Sequence, residues 1–203
     1  MFFKQILSNP GQNFSYILAD EKTKEAAVID PSYETDWLVK IIESEKLKVK
    51  YIINTHDHHD HTTGNSRIKE KTGAKITAHK FAKVGQDISL DDKDKIKIGN
   101  LKIKIIYTPG HSKSSICLLV ENKILTGDTL FVGECGRTDL AGSDPEEMYD
   151  SLFNKLMKLD DETEVYPGHD YGDKPSSTIG FERKNNYVLK TRTKEEFVEF
   201  MKS

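Results

Sequence analysis

From Thr55 to His61 the chain reads Thr-His-Asp-His-His-Asp-His, and four of its seven histidines (His56, His58, His59 and His61) fall in this stretch. Imidazole and carboxylate are the side chains that hold zinc, iron or manganese. The run follows the apolar segment Val49-Lys50-Tyr51-Ile52-Ile53, so it leaves the end of a predicted strand, where a rigid scaffold most often places reactive groups. A solvated polar turn is the competing reading, and three later segments weaken it. Thr108-Pro109-Gly110-His111, Leu125-Thr126-Gly127-Asp128 and Tyr166-Pro167-Gly168-His169 each pass from a predicted strand through a glycine turn to one more potential ligand. Any one of them alone is more simply a turn. A cation held by such a set would lower the pKa of bound water from ~15.7 toward ~7 and polarise a carbonyl.

His56 and His58 face the same way in an extended segment, whereas the adjacent Asp60 and His61 cannot both point with them. His59 and His79 fall outside these patterns and are expected at the surface or behind the ligands. Cys117 and Cys135 are too few for a disulfide framework and fit a reducing compartment. Cys135 is expected as a packing residue more readily than as a reactive thiol.

The elements that must position these groups alternate between strand and helix periods in both halves, the pattern of an α/β sandwich. Strands are predicted near 2–7, 14–19, 25–30, 49–53, 75–78, 96–98, 101–107, 115–120, 123–126 and 163–166. One helix over about 35–46 has Trp37, Leu38, Ile41 and Ile42 on its apolar face, and a second over about 145–158 has Met148, Leu152, Phe153 and Leu156. The second opens with Asp144 as N-cap, Pro145 at the first position and Glu146 and Glu147 near the positive dipole end. Thr193 and Glu196 form a capping box for a last helix carrying Phe197, Phe200 and Met201.

At 203 residues, with no linker-like stretch or repeat, residues 1–203 are expected to form one domain. No apolar run approaches the ~20 residues that span a bilayer, and Met1-Phe2-Phe3-Lys4-Gln5 does not resemble a signal peptide, so a cytoplasmic protein without membrane contact is expected. A net charge of -3 with 31% charged residues and scattered lysines argues against nucleic-acid binding. A homodimer is left open.

Together, His56, His58, Asp60, His61, His111, Asp128 and His169 resemble the ligand set of the metallo-β-lactamase superfamily, and the resemblance extends along essentially the whole chain. The resemblance implies that superfamily's αβ/βα sandwich, two mixed β-sheets flanked by helices. It also implies that His56, His58 and His111 hold one metal, that Asp60, His61 and His169 hold a second, and that Asp128 bridges them. Gly127-Asp128-Thr129-Leu130-Phe131 and Cys135-Gly136-Arg137-Thr138-Asp139 are similar to the glyoxalase II and persulfide dioxygenase branch. So are His169-Asp170-Tyr171-Gly172, Ser176 to Gly180 with Glu182-Arg183, and Glu195-Glu196-Phe197. The chain departs from the pattern at Asn186-Tyr187, where Asn-Pro is usual, and it does not match the helical C-terminal domain that completes the glutathione site in full-length glyoxalase II.

The resemblance implies an enzyme acting on a small thiol-derived substrate. In the first reading, two divalent ions (zinc, with iron or manganese as alternatives) supply hydroxide that attacks a thioester; Asp60 and Asp128 are catalytic, with Asp60 orienting the nucleophile. Arg137 is the candidate for a substrate carboxylate, since guanidinium matches that group bidentately, although a salt bridge within its turn would equally explain it. Tyr171 and Cys135 border the same region. In the second reading, one Fe2+ held by His56, His111 and Asp128 activates O2 for oxidation of a thiol persulfide. A third is a metal-binding module without turnover.

Overall fold

The computed structural model describes residues 1–190 and 192–202. Two six-stranded sheets pack face to face. The first runs in spatial order β1 (Phe2–Ser8), β2 (Asn13–Ala19), β3 (Glu25–Ile29), β4 (Lys48–Ile53), β5 (Lys75–His79), β6 (Ile88–Leu90). The second contains β7 (Lys95–Ile98), β8 (Leu101–Tyr107), β9 (Ile116–Val120), β10 (Lys123–Gly127), β11 (Glu164–Pro167) and β12 (Ser177–Thr178), with β7 and β12 at its edges. Both sheets are mixed: β3 through β6 pair in parallel, as do β10 and β11, and the remaining pairs are antiparallel.

The strand period of two explains the layering. In β2, Phe14, Tyr16 and Leu18 face Ile103, Ile105 and Leu118 of the other sheet. Ile17 and Ala19 point the opposite way, onto α1 (Thr35–Ser44) and α3 (Asn65–Thr72) through Leu38, Val39, Ile42 and Ile68. On the far side, Cys117, Ile124 and Val165 are covered by Met148, Leu152, Leu156 and Phe197. The order helices, sheet, sheet, helices is the sandwich that the sequence predicts.

Several elements depart from expectation. Trp37 is 53% exposed: the buried stripe of α1 is Leu38, Val39 and Ile42, rotated away from the predicted face. The predicted helix over 145–158 is composite, with α4 (Pro145–Tyr149) widening into a π-turn at Asp150–Lys155 and tightening at Leu156–Lys158. The wide turn keeps the four-residue spacing of Met148, Leu152 and Leu156 in line on the sheet. Both caps form: Asp144 accepts from the Glu146 and Glu147 amides at 2.8 and 3.2 Å, and Thr193 and Glu196 exchange backbone-to-side-chain bonds at 2.7 and 3.2 Å. The last helix is α6 (Lys194–Lys202); α2 (His59–Thr62), α3 and α5 (Ile179–Asn185) were not predicted. The lysines are not all scattered: Lys95 faces Lys104 and Lys97 faces Lys102 across the β7–β8 hairpin.

Candidate metal centre

All seven singled-out histidines and aspartates converge beyond the C-terminal ends of four strands. The loop after β4 carries His56 and His58 and enters α2, which adds Asp60 and His61; the turns after β8, β10 and β11 supply His111, Asp128 and His169. His56, His61, His111, Asp128 and His169 are buried, and His58 and Asp60 are half-buried. Two glycines permit this closeness. Gly127 adopts φ +49°, and a Cβ there would meet Thr55; a Cβ on Gly168 would strike Asp128 Oδ1 and come to 2.9 Å from His61.

The ligand atoms form two clusters. In one, His58 Nδ1 is 3.1 Å from His56 Nε2 and 3.0 Å from His111 Nε2. In the other, His61 Nε2 is 3.2 Å from His169 Nε2, and Asp60 Oδ2 is 3.5 and 3.3 Å from those two nitrogens. Asp128 lies between: Oδ2 is 3.8 Å from His56 and 3.4 Å from both His111 and His169, while Oδ1 is 3.3 Å from His61. Zinc–nitrogen bonds of about 2.0–2.1 Å give a tetrahedron edges of roughly 3.3–3.4 Å, close to these separations.

Proton placement argues that a cation belongs here. His61 Nδ1 faces Asp30 Oδ2, His111 Nδ1 faces the Arg137 carbonyl and His169 Nδ1 faces the Gly11 carbonyl, each at 3.0 Å. Those acceptors require the hydrogen on Nδ1, which leaves a lone pair on each Nε2 aimed inward. Thr55 Oγ1 donates to Asp30 at 2.6 Å, so it accepts from His56 Nδ1 at 3.1 Å and directs the His56 lone pair inward as well. Facing lone pairs repel unless a proton or a metal cation lies between them. Asp128 Oδ1 is buried with no hydrogen-bond partner, the kind of atom that a metal satisfies.

The local field has the matching sign. Burial raises Asp60 and Asp128, yet contacts with His169, His61 and His56 prevail and hold both carboxyls well below the usual range. Burial lowers His169, but its bonds to Asp128 and Asp60 raise it to about 9; burial likewise lowers His61, which Asp128 and Asp30 raise. His56 and His111, each beside Asp128 alone among the acids of the site, are lowered by burial.

Three supporting residues escaped the sequence reading. Asp30 has a positive φ of 46° and accepts from the Thr55 amide (2.7 Å), the Thr55 hydroxyl and His61. Asn13 donates to Asp60 Oδ2 at 2.8 Å, and Gly11 supplies its carbonyl to His169. The only local signal was an acid at a strand end, Ile29-Asp30-Pro31. His59 is exposed, whereas His79 is fully buried and stacked on Tyr107, not at the surface.

On one side of the centre a hollow of about 240 Å³ is bounded by Arg137, Cys135, Tyr171 and Phe131, with His111 and Asp128 at its base. Tyr171 stacks on His169 at 4.6 Å. The Arg137 guanidinium makes two 2.5 Å bonds to Asp139 at the surface. Cys135 is buried beside Met201, and burial pushes its thiol up to about 12. The loop itself is tied down by Glu182, which accepts from the Gly133 amide at 2.9 Å, and by Asn186, which donates to the Glu134 carbonyl at 3.1 Å.

Comparison with known proteins adds ancestry. The sequence profile of the metallo-beta-lactamase superfamily matches residues 8–85 and 80–169. The hydroxyacylglutathione hydrolase of Pelagibacter ubique is 36% identical over 198 residues, covering 94% of this chain and 80% of that protein. The human mitochondrial persulfide dioxygenase ETHE1 is 30% identical over 205 residues, 99% of this chain and 80% of its own length. The crystal structure of ETHE1 from Myxococcus xanthus superposes with a TM-score of 0.96 at 32% identity, over 100% of this chain and 91% of that one.

Proposed function

The chain belongs to the metallo-β-lactamase superfamily, and on that premise we propose that it is a metal-dependent hydrolase of the glyoxalase II type, cleaving a thioester of a small thiol. One observation carries this reading: seven ligand-type side chains form two clusters around Asp128, the double set a two-metal hydrolase requires. In this proposal His56, His58 and His111 hold one divalent ion, Asp60, His61 and His169 hold the other, and Asp128 is shared. Bound zinc would acidify water and polarise the thioester carbonyl.

The chain's own residues do the rest. Asp60, held charged and anchored by Asn13, would orient the attacking water. Asp30, Gly11 and the Arg137 carbonyl fix the imidazoles, so the site needs little reorganisation as charge develops. Tyr171 and Arg137 border the hollow that would receive the substrate, and Arg137 could exchange Asp139 for a substrate carboxylate. The thiolate leaves readily because thiols are fairly acidic. Residues 1–203 act as one domain in this reading. A cytoplasmic location belongs to the same proposal and is supported by Cys117 and Cys135, both buried and unpaired.

The TM-score of 0.96 to the Myxococcus ETHE1 structure favours a second reading, an iron-dependent persulfide dioxygenase. A paired assay separates the two: zinc- and iron-loaded protein tested on an S-lactoyl thioester and, with an oxygen electrode, on a thiol persulfide. Thioester turnover is expected. Iron-dependent O2 uptake with persulfide and no thioester turnover with either metal would replace the first reading by the second.

A further inference from the structure

A second hollow, lined by residues other than Arg137 and Tyr171, reaches the centre at His58. It measures about 670 Å³, reaches His58 and Ser112, and is walled by Phe81 and Tyr107 with Lys83 and Lys113 beside them. That volume falls in the range of roughly 300–1,000 Å³ that accommodates drug-sized molecules, far more than a lactoyl group fills.

Its aromatic wall is rigid. Tyr107 stacks on the buried His79 ring at 4.2 Å and an interplanar angle of 6°. The Tyr107 hydroxyl donates to the Lys113 carbonyl at 3.0 Å, and the Tyr107 carbonyl accepts from Lys155 at 2.6 Å. Burial pushes this phenol up to about 12, so it stays neutral. Phe81 packs edge-on against the same His79 at 5.0 Å yet leaves 52% of its surface exposed. A fixed, exposed ring beside a reactive centre is apolar surface organised in advance of a ligand.

The charges around the wall are unequal in availability. Asp57 has one oxygen bonded to the Ser114 hydroxyl at 2.6 Å and the other to the Lys83 amide at 3.0 Å. Glu147 lies at the first turn of α4, and burial together with Asp144 raises its carboxyl above the usual range. The ammonium groups of Lys83 and Lys113 make no ion pair or hydrogen bond among the described residues. Lys113 lies in the field of the Glu147 carboxyl, but neither ammonium is tied to a partner, so both can turn to a ligand.

We infer that this hollow is the acyl-arm subsite and that it takes an aliphatic arm of several carbons ending in an anionic group, the apolar body on Phe81 and Tyr107 and the terminus at Lys83 and Lys113. The inference rests on the hydrolase reading for the word acyl and goes beyond it by naming the substrate class: thioesters of medium-length dicarboxylic acids rather than of lactate alone.

Carboxylic acid products test it by binding. Acetate, hexanoate and adipate are titrated calorimetrically into zinc-loaded protein. Hexanoate is expected to bind about tenfold more tightly than acetate, since each buried methylene contributes up to about fourfold, and adipate several-fold more tightly again. Phe81→Ala should bring hexanoate back toward acetate. The double variant Lys83→Ala, Lys113→Ala should erase only the adipate advantage. Hexanoate binding no better than acetate, or an adipate advantage that survives loss of both lysines, overturns the inference. Because the ranking is read from binding, a protein that ranks the acids as expected yet cleaves no thioester supports this subsite while overturning the hydrolase reading.

Discussion

Asp30 Oδ2 lies 3.0 Å from His61 Nδ1, and both residues are buried. The same oxygen accepts from the Thr55 hydroxyl at 2.6 Å, which in turn meets His56, and the other accepts from the Thr55 amide at 2.7 Å, so Asp30 links the first cluster to the second through a single carboxylate. Removing it leaves His61 without the partner that fixes its tautomer and ring orientation. Asp30→Ala is expected to weaken binding of the second metal by about 10–100-fold, the usual cost of losing such a partner. Zinc titration with a chromophoric chelator checks this; unchanged affinity would make Asp30 a folding residue only.

Metal content should follow the clusters rather than mere proximity in sequence. His58→Ala and Asp128→Ala are expected to lose metal, and His59→Ala, on the exposed side of α2, to keep it. Atomic analysis of each reconstituted variant is the measurement. Equal loss from all three, or less than half a metal per wild-type chain, would show the ligands to be wrongly assigned.

The candidate centre was legible in sequence because each ligand-type side chain follows a strand and a turn, an arrangement expressed within a few consecutive residues. Asp30, Asn13 and Gly11 were not, because their roles arise from pairings between segments distant in the chain: Gly11 meets His169 across 158 positions. The strands with strong apolar character were placed within a residue or two, whereas β6 and β12, of three and two residues, carry too little pattern to detect. Helix α3 buries a single apolar side chain, Ile68, so it has no stripe to show. Trp37 was misplaced for the opposite reason: a helical period specifies an apolar face, not which edge of that face reaches the core.

Arg137 has two claims on its guanidinium, and kinetics can separate them. Its bidentate pair with Asp139 is exposed, so the pair contributes little stability. Arg137→Ala is therefore expected to leave the melting temperature and metal content unchanged while raising KM several-fold for a carboxylate-bearing thioester. Unaltered KM would leave Arg137 with its surface pairing alone.

Cys135 lies beside the centre but is expected to be inert. Its thiol is pushed up to about 12 by burial, so the reactive thiolate is populated only as pH approaches that value and is on the order of one part in ten thousand at pH 8. Iodoacetamide at pH 8 should leave native Cys135 unmodified by peptide mass mapping and label it fully after unfolding. Rapid labelling of the native protein would contradict its place in the packed interior.

Glu182 governs the loop that carries Arg137. Its carboxylate is fully buried, with Oε2 accepting from the Gly133 amide at 2.9 Å and from Asn186 Nδ2 at 2.8 Å, and with Oε1 unpartnered. The same loop presents the Arg137 carbonyl to His111. Glu182→Ala removes the acceptor of the half-buried Gly133 amide and one of the two bonds of the Asn186 amide, at about 1–3 kcal/mol in all, which in a chain of this size lowers Tm by roughly 3–10 °C. Glu182→Gln keeps an acceptor oxygen toward both donors, removes the charge and puts an amide nitrogen in place of the unpartnered Oε1, so its Tm should stay within a few degrees of wild type. Calorimetric melting of both variants decides the matter. A Gln variant as unstable as the Ala variant would mean that the negative charge, and not the acceptor, holds the loop in place.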